Sequence, residues 1–117
     1  MAELILIKNK ENYSLRLEDI SIGGAWVGKT NIVPEREFMG KKSKVVMGFG
    51  INHENRNNGF GHILMDKIIE SERSIGTDYL RLGVEVNNEA AIKIYEKAGF
   101  IKDGPLYGNM HYMWKKL

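Results

Sequence analysis

The chain has 117 residues, enough for one domain with its own hydrophobic core and too few for two ordinary ones. Its 17 Lys and Arg against 15 Asp and Glu leave a formal charge of +2, which predicts neither nucleic acid nor membrane as a partner. Cysteine is absent, which excludes disulfides, thiolate catalysis and zinc–cysteine sites and fits a cytoplasmic protein.

At the N-terminus, the apolar run of MAELILIKNK is four residues long and follows Glu3, too short for a signal peptide or a membrane span. We read residues 3 to 8 as a strand. Next, Tyr13, Leu15 and Leu17 alternate with Ser14, Arg16 and Glu18, the period of a half-buried strand. The stretch GGAWVGKT, 23 to 30, matches the phosphate-loop pattern GxxxxGK[ST], which would set Lys29 on a nucleotide. That loop works only if a helix starts at its Lys-Thr, but the next residues are NIVPERE, with two β-branched side chains and Pro34. The same residues read better as a strand over 25 to 33, entered through a Gly23-Gly24 turn. Residues 34 to 44 read as a loop whose Arg36, Lys41, Lys42 and Lys44 are solvated, and 43 to 51 as a further strand. These short segments suggest an antiparallel meander.

From Phe60 the period changes. Ile63, Leu64, Ile68 and Ile69 follow helical spacing and Gly76 sits at the expected C-cap, which predicts a helix over 59 to 75. YLRLGVEV then puts Leu80, Leu82, Val84 and Val86 on one strand face and Arg81, Gly83 and Glu85 on the other. Asn88 can cap a second helix over 88 to 98, closed by Gly99, with Phe100 packing back on its end. FIKDG and MHYMWKK complete the chain as two strands. A strand, a helix and another strand of matching length make a parallel crossover.

Between the strand ending at Ile51 and the first helix lies NHENRNNGFG. A glycine-bearing turn in front of a helix N-terminus can hold a pyrophosphate, with Arg56 adding charge and Gly59 and Gly61 allowing close approach. Equally, Asn57, Asn58 and Gly59 can form a plain helix-entry turn. His53, His62 and His111 lack metal-ligand spacing, so no metal site is expected.

RNNGFG, Arg56 to Gly61, resembles the RxxGxG acetyl-CoA loop of the GNAT N-acetyltransferase superfamily, and NEAAIKIYEKAGF, Asn88 to Phe100, resembles its NxxAxxxYxxxGF segment. The resemblance covers roughly 44 to 117. It implies one α/β (α+β) domain over 1 to 117, with a mixed, mostly antiparallel sheet, a parallel β-α-β crossover and two main helices. Most relatives carry two more helices between their first and second strands, and no helical period precedes residue 59 here. An uncovered sheet face would expose apolar surface, which suggests a homodimer.

The function so implied is transfer of an acetyl group from acetyl-CoA to an amine of unknown identity by direct attack. The alternative is a non-catalytic acyl-CoA-binding or interaction module of the same fold. Backbone N–H groups of Asn57, Asn58, Gly59, Phe60 and Gly61, with Arg56, would hold the pyrophosphate. The strand MGFGI would pair with the pantetheine arm, and an N–H of Phe49 or Ile51 would polarise the thioester carbonyl. Asn88 would cap its helix, touch the cofactor, or both. Tyr95 stands at the position whose hydroxyl protonates the departing thiolate, and its packing fits a core tyrosine equally well. Some relatives place a glutamate where this chain has Gly83; Glu85, two residues on and on the same face, is the candidate base, or else a solvated partner of Arg81.

Overall fold

The structure is a computed structural model that describes residues 3–30 and 42–117. One seven-stranded sheet runs through it: β1 (Leu4–Asn9), β2 (Asn12–Leu17), β3 (Ile20–Gly28), β4 (Ser43–Ile51), β5 (Tyr79–Glu85), β6 (Ile101–Lys102) and β7 (Met110–Lys116), in spatial order β1-β2-β3-β4-β5-β7-β6. Two α-helices, α1 (Phe60–Ser74) and α2 (Glu89–Lys97), follow β4 and β5. No described helix is long and apolar enough to cross a membrane.

β1 to β4 form the antiparallel meander. Its first two turns are tight: Lys10 and Glu18 take left-handed φ of 56° and 55° and reverse the chain within two residues each. This corrects the expected third strand. The reversal falls at Glu18–Asp19, so β3 begins at Ile20 and Gly23 and Gly24 lie inside it. They are glycine because a Cβ on Gly23 would strike the Gly50 carbonyl oxygen and one on Gly24 the Tyr13 carbonyl oxygen. β3 ends at Gly28, with Lys29 and Thr30 exposed beyond it. Residues 31 to 33 of the expected strand and most of the expected loop, Arg36 and Lys41 included, lie outside the described residues.

The crossover β4-α1-β5 is parallel, but β4 and β5 pair only from Ser43 to Val45 against Tyr79 to Arg81. Beyond that point the strands separate: β4 stays on β3, while β5 runs its whole length beside β7. α1 and α2 touch each other and bury one face of the sheet. Leu64, Met65 and Ile68 of α1 and Tyr95 of α2 share a single core with Tyr13, Leu15, Val27, Val46, Leu80, Leu82 and Val84. Val86 falls past the end of β5 and is exposed, because the strand stops at Glu85 and the chain turns there, Asn88 N–H donating to the Glu85 carbonyl.

A polar lock fixes α1 to the sheet. Glu72, with none of its surface exposed, accepts hydrogen bonds from Tyr13 Oη at 2.5 Å, Lys44 Nζ at 2.7 Å and Thr77 Oγ1 at 2.7 Å. Lys44 is therefore a strand residue in an ion pair with a buried carboxylate, not part of a solvated loop; the alternation of β4 points it at α1. Lys42, which precedes β4, is exposed as expected.

Candidate active site

Where β4 and β5 separate, a cavity of about 490 Å³ opens between the end of β4, the 55–59 loop, the start of α1 and the outer side of α2. Three local features shape it. First, the β4 edge from Val46 to Ile51 has no strand partner on the β5 side among the described residues, and Phe49, Gly50 and Ile51 line the cavity. A Cβ on Gly50 would meet nothing within 4 Å, so that glycine keeps the space beside the edge clear.

Second, α1 begins without a side-chain cap. Its N-cap is Gly59, in left-handed geometry at φ 78°, and no acidic residue occupies the first turn. Asn57 is also left-handed, at φ 65°. Ile63 N–H makes the first intrahelical bond, to the Gly59 carbonyl, so the N–H groups of the first turn are left for a ligand. α2 is built the other way: Asn88 Oδ1 accepts from Ala91 N–H at 3.2 Å, and Glu89 sits in its first turn. The cap reading of Asn88 is what the geometry shows, and Asn88 also reaches the cavity wall.

Third, the wall is cationic. Arg56 and Lys93 line it together with His62, and among the described residues no carboxylate does. Arg56 Nε donates to the Ile51 carbonyl at 3.0 Å, tying the loop to the end of β4, and its other guanidinium N–H groups have no partner among the described residues. Gly61 lets the helices meet closely, since a Cβ there would lie 2.6 Å from Ile94 Cδ1.

Of the residues picked out from sequence, Phe49, Ile51, Arg56, Asn57, Gly59, Phe60, Gly61 and Asn88 line this cavity. Asn58 does not: its side-chain amide turns back on the Asn55 and Arg56 carbonyls, at 3.5 and 3.2 Å, and closes the turn. Sequence reasoning missed Asn55, His62 and Lys93. Lys93 carried a readable signal, since it lies two residues from Ala91 and from Tyr95 on the exposed flank of a helix already identified.

Tyr95 sits behind the cavity rather than in its wall. Its ring meets Phe49 edge-on at 5.6 Å and Phe100 at 6.0 Å, and it is 6% exposed. Burial pushes its hydroxyl up to about 12. The hydroxyl has no hydrogen-bond partner among the described residues, yet the one sealed-off, unpartnered side-chain atom there is Asn55 Nδ2. The Tyr95 oxygen thus stays open to a small polar group. Glu85 is exposed at the far end of β5, on the opposite sheet face from Leu80, Leu82 and Val84, and it does not line the cavity. The place over Gly83 is occupied: a Cβ there would lie 2.8 Å from Tyr112 Cε1 and 3.2 Å from Met110 Cε. Among the described residues, no group of acidic or imidazole side chains could hold a metal ion.

An open strand edge, an uncapped helix N-terminus and a cationic wall around one cavity define a site for an elongated anionic ligand that also carries amide groups. The acetyltransferase (GNAT) family profile matches residues 3–100, and the chain belongs to that family. The fold is also that of solved acetyltransferases. An acetyltransferase from Bacillus subtilis, solved in complex with CoA, superposes with a TM-score of 0.74 over 100% of this chain and 99% of its own, at 14% identity. The ribosomal-protein-S18-alanine N-acetyltransferase of Escherichia coli gives 0.71 over 93% and 71%, at 18% identity. A GNAT acetyltransferase from Elizabethkingia anophelis with acetyl-CoA bound gives 0.72 over 91% and 75%, at 14% identity. No curated protein matches the sequence.

Proposed function

We propose that the protein is an N-acetyltransferase that moves an acetyl group from acetyl-CoA to an amine. The observation that carries this reading is the uncapped N-terminus of α1 opening into the same cavity as the unpaired β4 edge. In this reading the N–H groups of Asn57, Gly59, Phe60 and Gly61, with Arg56, hold the pyrophosphate, and Lys93 adds a second positive charge. The Phe49–Ile51 edge binds the pantetheine amides as an added strand would. At the thioester, a β4 N–H of Phe49 or Ile51 stabilises the charge that develops on the carbonyl oxygen. The ammonium loses a proton to water or to Glu85, the amine forms the new C–N bond while the C–S bond breaks, the Tyr95 hydroxyl gives its proton to the departing sulfur, and the proton that the nitrogen sheds on becoming an amide restores the tyrosine through solvent. A tyrosine pushed up to about 12 remains protonated at neutral pH and can serve as that donor.

Calorimetric titration with acetyl-CoA tests the reading. Saturable binding by the wild type, lost in Gly50→Val, places the ligand along β4, because the valine side chain fills space that no other atom occupies within 4 Å of the Cβ. Saturable binding that survives in Gly50→Val, or no binding by the folded wild type, overturns it.

We further propose a homodimer. Ile5 and Ile7 are 52% and 47% exposed on β1, the sheet edge strand, which pairs with β2 alone among the described residues. Sedimentation equilibrium should give twice the 13.3 kDa mass of one chain. A single-chain mass removes the dimer and leaves the enzyme reading intact.

A further inference from the structure

A second hollow, also of about 490 Å³, is lined by Asn12, Tyr13, Ala25, Trp26, Met47 and Gly48. Strand register explains its make-up. Asn12 pairs with Trp26 and Trp26 with Met47, so these three side chains form one row across β2, β3 and β4 on the face away from the helices. Gly28, two residues along β3 on the same face, has no side chain, and the indole bends across it beside Glu11: a Cβ there would lie 2.6 Å from Trp26 Cζ2, 2.7 Å from Cη2 and 3.0 Å from Glu11 Cγ. The ring is thereby held along the strand, beside a Met47 that is 50% exposed.

This hollow adjoins the cofactor cavity through a single structural feature. Opposite Ala25, β4 carries two residues, Gly48 and Phe49, between the Trp26–Met47 and Gly24–Gly50 pairs. Gly48, at φ 61°, makes this bulge, and the next side chain is thereby turned toward the helices. Gly48 lines the hollow and Phe49 lines the cavity. A molecule seated against Trp26 and Met47 therefore meets the strand segment that the proposed thioester meets from the other side.

We propose that this hollow seats the acceptor, and that the acceptor is a monoamine with a flat, apolar body. The proposal rests on the acetyl-transfer reading for its chemistry. Asn12, Trp26 and Met47 supply the side chains on this face, while Tyr13 and Ala25 send theirs into the core on the helix side; none of these is charged, and Glu11 stands beside the indole. A polyamine, an aminoglycoside or a lysine-rich peptide would bring several ammonium groups where, among the described residues, Glu11 is the one carboxylate beside the indole, and an anionic acceptor would find no cation among the described lining residues. An indole face and a thioether suit an aromatic or other planar hydrocarbon body, with its single amino group directed at the bulge. On transfer, the amine nitrogen loses one proton and forms one bond to the acetyl carbon, and CoA leaves as the thiol.

The test uses the full chain, with 2-phenylethylamine as the probe against spermidine and a lysine peptide. Intrinsic tryptophan fluorescence reads binding, and thiol release from acetyl-CoA reads transfer. The proposal expects a saturable fluorescence change and a kcat/KM at least about tenfold above either competitor. Trp26→Ala should raise the KM for 2-phenylethylamine about tenfold with the KM for acetyl-CoA unchanged, and Trp26→Phe should restore most of the loss. Should Trp26→Ala fail to fold, Met47→Glu at the exposed rim should move the preference about tenfold toward spermidine. Preference of the wild type for spermidine or the peptide, or no fluorescence change while acetyl-CoA binds, overturns the proposal and leaves the acetyltransferase reading standing. A fluorescence change on 2-phenylethylamine without any acetyl-CoA binding overturns both, because an amine bound there is then not an acceptor.

Discussion

Tyr95 combines two properties that a plain core tyrosine seldom combines. Its ring packs on Phe49 and Phe100, while its hydroxyl finds no partner among the described residues and burial raises its pKa to about 12. A hydroxyl retained only for packing would be hydrogen-bonded, as Tyr13 is to Ser71 and Glu72. Tyr95→Phe should therefore fold and bind acetyl-CoA as the wild type does, while kcat for the acceptor falls about 100-fold. Unchanged kcat would reduce Tyr95 to a core residue. The same position shows what a sequence can and cannot display. Helical spacing placed Tyr95 beside Ala91 and Ala98, but whether its hydroxyl is satisfied depends on Phe49, 46 residues away, which no local pattern records. Asn58 shows the converse. Inside an asparagine-glycine run its loop was evident, but the choice between binding a ligand and closing the turn depends on carbonyls that become neighbours only once the loop is folded.

α1 is open at one end and locked at the other. Both helices read from sequence fall within about one residue of their observed ends, because caps and period agree: Gly76 and Gly99 take left-handed φ of 90° and 100°, and Phe100 N–H reaches back to the Tyr95 carbonyl. The Glu72 lock was not legible, since it gathers Tyr13, Lys44 and Thr77 from three separate segments. Burial, the largest influence on Glu72, favours its neutral form, but hydrogen bonds from Lys44, Tyr13 and Thr77 together outweigh it and hold the pKa below 4.5. Burial, and then the Glu72 contact, raises that of Tyr13. A carboxyl depressed in the folded chain adds stability that is fully present above its unfolded value and is lost as pH falls through the native one. The urea midpoint should thus drop between about pH 5 and pH 3 by more in the wild type than in Glu72→Gln, which has no carboxyl to protonate. Glu72→Ala, which leaves Lys44 half-buried and unpaired, should cost about 3 kcal/mol at neutral pH. Equal acid sensitivity in wild type and Glu72→Gln would show that the lock is not the group that titrates.

Across the whole molecule, the sheet is two sheets that share three residue pairs. β1 to β4 form one ladder and β5 to β7 another, joined side by side from Ser43–Tyr79 to Val45–Arg81 and bridged by α1. The meander and the crossover were visible as a change of period at Phe60, but the separation of β4 from β5 was not, because glycines such as Gly48 and Gly83 near the parting do not tell which neighbour a strand leaves. The absence of helices between the first two strands was legible, and the structure accounts for it: β1 turns into β2 at Lys10, with no room for an insertion. This architecture makes a regional prediction. Among the described residues the β4 edge beyond Val45 lacks a strand partner on one side and the first turn of α1 lacks a cap, so amide hydrogens there should exchange faster than those of β3, which is paired with β2 on one side and β4 on the other. Acetyl-CoA bound along that edge would supply acceptors for those amides, so hydrogen exchange should slow at 49–51 and 57–61 and stay unchanged in β1 and β2. Closing the gap would also couple the two ladders: thermal unfolding should move upward with ligand, by about 2.7 kcal/mol of stability at a hundredfold excess over Kd. Slowing spread evenly over the chain would mean that the ligand acts by general stabilisation, and slowing at β1 alone would put it on the far edge of the sheet.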